Sequence, residues 1–133
     1  MKNFMTTLIF MMGLLPLALA QNAPPPPRIA PADAKNHDGE TVIVCGKVVD
    51  NKIPKYGLAG RGKPVSFDLD QPEPNPVFYF VAFGTQEGGP KEVVAAYQGK
   101  RVCVTGKINM RPPEAPFILV ADRTQIKTQP DDK

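Results

Sequence analysis

Short apolar runs rich in β-branched and aromatic residues recur along this chain between proline- and glycine-rich stretches. Thr41–Val49 is dense in β-branched residues and reads as the first strand. Val65-Ser66-Phe67-Asp68-Leu69 alternates cleanly and is the second. Val77–Phe83 is the third, aromatic on both faces, so its inward set is either Phe78, Phe80 and Ala82 or Tyr79, Val81 and Phe83. Lys91–Tyr97 changes period: Val93, Val94 and Tyr97 fall on one side of a short helix. Lys100–Ile108 and Phe117–Ala121 are the fourth and fifth strands, and Asp122–Ile126 is a closing turn. A different pattern opens the chain. Lys2, an apolar run from Phe4 to Leu19 and the small residues Ala18 and Ala20 form a secretory signal peptide with cleavage after Ala20. Read as a membrane anchor, the same run is broken by Thr6, Thr7, Gly13 and Pro16 and sits near the lower limit for a span. No second long apolar run follows, so no membrane span is expected after cleavage.

The expected order is therefore β-β-β-α-β-β. The first and fourth strands share a motif, Val-Cys-Gly-Lys-Val and Val-Thr-Gly-Lys-Ile, and each glycine would let its strand bend. Five strands with a helix between the third and fourth predict an all-β fold, a five-stranded Greek-key OB-fold barrel. The sixteen prolines fit loops and linkers between strands. The domain plan is a leader at 1–20, a proline-rich linker at 21–36 that is largely unpacked, a barrel at 37–127 and a polar tail at 128–133.

The chain resembles small exported bacterial OB-fold proteins of the nucleic-acid-binding type over about residues 37–127. The likeness rests on Gly39–Val49, Gly62–Leu69, the aromatic third strand, Gly99–Ile108 and Val120–Ile126. It implies a binding module, without specifying whether nucleic acid, sugar or protein is bound.

Charge and candidate chemistry narrow this. The chain carries a net +3, and cleavage removes Lys2, so the mature protein lacks the strong positive charge of a DNA-coating protein. Basic residues nevertheless outnumber acids between Thr41 and Arg111. In an OB barrel the second and third strands and the flanking loops bind ligand. The expected ligand-binding residues are Lys52, Lys55, Tyr56, Arg61 and Lys63 on the first long loop, Phe67 and Tyr79 on the sheet, and Arg111 after the fourth strand. Aromatic rings stack on bases and cations meet phosphates, so single-stranded nucleic acid or another polyanion is the leading partner class. The alternative is a periplasmic module for an oligosaccharide, small ligand or envelope protein, acting in envelope stress tolerance. No catalytic motif, cofactor or metal site is expected: His37 is the sole histidine, and Asp68 and Asp70 read as strand-end residues rather than nuclease ligands.

Strand parity also orients the cysteines. With Val42, Val44, Val48, Val102 and Val104 inward, Cys45 and Cys103 point outward, and in an OB barrel they lie on antiparallel neighbours. An exported chain with two such cysteines predicts a Cys45–Cys103 disulfide, worth roughly 3–4 kcal/mol in the chain-entropy model. The expected location is periplasmic or secreted.

Overall fold

The structure, a computed structural model, describes Gly13 and residues 24–55, 62–83 and 89–130. The predicted leader at 1–20, together with Tyr56 and Arg61, lies outside the described residues except for Gly13. Seven strands form one mixed, unclosed sheet: β1 (Arg28–Ile29), β2 (Thr41–Lys52), β3 (Pro64–Leu69), β4 (Tyr79–Phe83), β5 (Arg101–Lys107), β6 (Phe117–Leu119) and β7 (Ile126–Gln129). The sheet order is β6-β4-β3-β2-β5-β7, with β1 also paired to β2. The short helix α1 (Gly89–Tyr97) lies between β4 and β5 in the chain. Among the described residues no helix is long and apolar enough to cross a membrane.

β2 organises the sheet because its two halves serve different partners. Thr41–Lys47 pairs antiparallel with β5, and Val48–Lys52 pairs antiparallel with β3. The register shifts between Val48 and Asp50, not at Gly46 where the sequence suggests a bend. Gly46 has another role: a Cβ there would lie 2.8 Å from Asp70 Oδ1 and 2.9 Å from Pro31 Cγ. The absent side chain lets these two segments close over the strand. Gly106 does the same on β5, where a Cβ would meet Ile118 Cγ2 at 2.5 Å.

The inward side chains follow the predicted parity. Val42, Val44, Val48, Val65, Leu69, Val102, Val104, Ile108 and Ile118 are fully buried. Phe67 and Phe80 stack with ring centroids 5.0 Å apart, and Tyr97 from α1 meets both edge-on, at 5.7 and 6.2 Å. The helix thus covers the aromatic centre of the core with Val93 and Tyr97. For β4 the structure selects Phe78, Phe80 and Ala82 as the buried set.

Two expectations at the chain ends do not hold. Residues 28–36 are not an unpacked linker. β1 pairs in parallel with β2, on the edge opposite β5, and Ile43 N–H donates to the Pro27 carbonyl. The following 3-10 turn, Pro31–Asn36, buries Pro31 and Ala34. Its proline sits in the first turn, where a fixed φ suits a helical start. At the other end, Thr128 and Gln129 belong to β7, paired with Val102 and Arg101, so the sheet extends into the predicted polar tail. The closing turn at Arg123–Gln125 is held by a reciprocal capping box with Asp122.

The predicted cysteine pairing is present. Cys45 and Cys103 are direct register partners on β2 and β5, with Cα atoms 4.0 Å apart and the sulfurs bonded.

Candidate functional site

Two outer surfaces of this sheet carry chemistry, with opposite charge. The first covers β3 and β4. In-register pairing aligns Asp50, Asp68, Tyr79 and Phe117 in one row across β2, β3, β4 and β6. Lys52, Ser66, Val81 and Leu119 form the next row. Above these rows is an open groove of about 350 Å³. Ser66 and Tyr79 contribute its floor. The β3–β4 connection adds Glu73, Pro74 and Pro76 to its lining, the β5–β6 connection adds Pro113, Glu114 and Ala115, and Lys52 completes it. The Tyr79 ring stacks on Phe117 at 5.1 Å, and its hydroxyl donates to Glu114 Oε2 at 3.0 Å. Burial, and then the bond to an already negative Glu114, push the Tyr79 phenol far above its usual range.

Asp68 is 8 % exposed, and its carboxyl is pushed up to about 6. Burial is the main cause, followed by the negative charges of Glu73 and Asp50; a bond from the Glu73 backbone N–H and the charge of Lys52 act in the other direction. In the unfolded chain this group loses its proton near 3.8. The native state therefore holds the extra proton between about pH 4 and pH 6, and stability falls as pH rises through that window. Asp68→Asn removes the penalty and keeps an acceptor for Glu73 N–H. Calorimetry should show the variant melting above the parent near neutral pH, with the difference shrinking below about pH 4. A parent that melts higher at neutral pH would refute this reading.

The structure brings only some of the sequence-predicted ligand residues together. Lys52 and Tyr79 line the groove, and Arg111 on the β5–β6 connection is near enough to act on the Tyr79 phenol. Lys55 and Lys63 are exposed, at the two ends of the segment that joins β2 to β3. Phe67 is corrected: it is fully buried and takes no part in an outer face, because its position on β3 has inward parity. The expected field is also reversed here, since Asp50, Asp68, Glu73 and Glu114 surround the aromatic face. His37 pairs with Glu40 beside the 3-10 turn and stands apart from the groove.

The second surface is the outer side of β1, β2, β5 and β7, around the disulfide. Register partners share a side of a sheet. Lys47 is opposite Arg101, Lys127 is opposite Cys103, Lys107 is opposite Thr41, and Arg28 is opposite Ile43. Arg28, Lys47, Arg101, Lys107 and Lys127 are all exposed. Among the described residues none of them lies within ion-pair distance of a carboxylate. Ile43, Thr41, Thr105 and Gln129 occupy the positions between them, and no acid shares this set. The sequence reading missed this face. The signal was present in the parity that points Lys47 and Arg101 outward beside the cysteines, but Arg28 and Lys127 join it only through the end strands.

No family model, curated protein or solved structure matches this chain.

Proposed function

We propose that the mature chain is an exported, non-enzymatic OB-type module that binds a polyanion, with single-stranded nucleic acid as the model ligand. Export is supported by the leader pattern at 1–20 and by the disulfide. The OB assignment is supported by the path β6-β4-β3-β2-β5, by the helix between β4 and β5, and by the bridge between Asn109 and Phe117 that ties the chain beyond β5 to β6.

One observation carries the ligand class: five exposed cations share a sheet face on which none of the described register positions is a carboxylate. Such a face concentrates positive potential in a chain whose total charge is modest. Its described positions also include no aromatic ring, so contacts go to phosphates or equivalent charges and not to bases. Binding is therefore insensitive to base sequence and is shared with other linear polyanions.

Anisotropy of a labelled oligothymidylate measures this. The affinity should fall with salt at a logarithmic slope of about −3, as expected for a handful of neutralised phosphates on a single strand. Lys47→Glu/Arg101→Glu/Lys127→Glu should weaken low-salt binding by about 100-fold. Substitution of Lys52 and Lys63 by alanine should have a smaller effect. Absence of binding at low ionic strength, or a greater loss from the Lys52 and Lys63 variant, would eliminate the proposal.

A further inference from the structure

We infer that the groove over Tyr79 is a binding site for an organic cation, an ammonium or guanidinium group on an aliphatic stem. The inference is independent of the polyanion reading, which uses the opposite field on another face.

The groove's hydrogen-bonding inventory is one-sided. Glu73 and Glu114 line the groove from two different connections, and both are acceptors when ionised. Pro74, Pro76 and Pro113 have no backbone N–H, so much of the wall offers no donor. The Tyr79 hydroxyl, a donor in principle, is already engaged by Glu114. Among the described residues Lys52 is the one cationic side chain of the lining, and the Ser66 hydroxyl donates to the Lys52 carbonyl. Beneath the groove, Asp50 and Asp68 are direct cross-strand partners, a like-charge pairing that is unfavourable by itself. An anion entering here meets the Glu73 and Glu114 carboxylates. A donor-rich cation finds acceptors in both and relieves the repulsion between Asp50 and Asp68.

The remaining surface fits the rest of such a molecule. Proline rings, Ala115 and the Tyr79 ring present apolar area to an alkyl stem. Stacking on Phe117 and the bond to Glu114 hold the phenol ring in place, and its electron-rich face attracts cations. A volume of about 350 Å³ is at the small end of ligand sites, suited to a diamine or a single basic side chain. A bare metal ion is a poorer match, because among the described residues no three acidic, histidine or cysteine groups converge on one point.

Titration calorimetry on the disulfide-bonded mature chain tests this with two probes, putrescine and N-acetyl-arginine methylamide. Saturable binding of at least one is expected. Tighter putrescine binding assigns the site to free amines, and tighter binding of the capped arginine assigns it to a basic side chain of a peptide. Glu73→Gln/Glu114→Gln, both at exposed positions, should weaken binding by about tenfold or more, whereas Lys47→Glu/Arg101→Glu should not. The charged and titratable groups of the lining are Lys52, Glu73, Tyr79 and Glu114, with Arg111 acting on Tyr79, Asp68 in register with Tyr79 and Asp50 in register with Asp68, and a bound cation stabilises the ionised form of Asp68. Carboxyl NMR should therefore show the Asp68 midpoint moving down from about 6 on saturation. Binding of neither probe, an unchanged Asp68 midpoint, an unaffected Gln variant, or an equal response to magnesium at matched ionic strength would each overturn the inference.

Discussion

Phe67→Ala is expected to lower the folding stability by about 3–5 kcal/mol while leaving polyanion contacts intact. The ring is inaccessible to solvent. It stacks on Phe80 and receives the edge of Tyr97, so it joins β3, β4 and α1 at one point. Removing it opens a cavity beside Phe80 and Tyr97, and both aromatic pairings are lost as well. Small domains are stable by about 5–15 kcal/mol, so the variant should unfold at a much lower denaturant concentration. A ligand-stacking residue would behave differently. Its truncation would weaken binding and change stability by less than about 1 kcal/mol. That second pattern would return Phe67 to the ligand surface and contradict its burial.

Replacement of both Cys45 and Cys103 by alanine should cost about 3–4 kcal/mol. The bond links positions 58 apart, and its loss frees the unfolded chain from a long closed loop. The native pairing should persist, because seven register pairs join β2 and β5 around the bond. The expected outcome is a lower denaturation midpoint with an unchanged far-ultraviolet spectrum. Peptide mapping of the unreduced parent should recover Cys45 joined to Cys103. Both thiols alkylatable in the unreduced protein, or a double variant as stable as the parent, would contradict the structural role of the bond.

The strands were legible where one face is apolar and the other polar. With Val42, Val44, Val102 and Val104 inward, parity pointed both cysteines outward, and the strand order of an OB barrel put them on neighbours. The short helix was legible because Val93 and Tyr97 break the period of two. The β4 parity was not, because Phe78, Tyr79, Phe80, Val81 and Phe83 are all hydrophobic or aromatic, and only the register with β3 and β6 decides which set is buried. β1 was hidden by composition: Arg28 and Ile29 follow four prolines, and the pairing that orders them is supplied by a distant edge. The acidic groove was hidden by distance. Asp68, Glu73 and Glu114 come from a strand and two connections that meet only after the sheet forms. Lysines counted along one loop gave a basic site, whereas the cations that share a face come from β1, β2, β5 and β7.

In the proposed function opposite charges occupy separate faces and the basic one takes the polyanion. A residue-resolved amide NMR titration with oligothymidylate tests it most directly. The signals of Lys47, Arg101, Cys103 and Lys127 should move and saturate together, while those of Ser66, Tyr79 and Glu114 stay in place. Shifts confined to Ser66, Tyr79 and Glu114, with the β2–β5–β7 face silent, would contradict it.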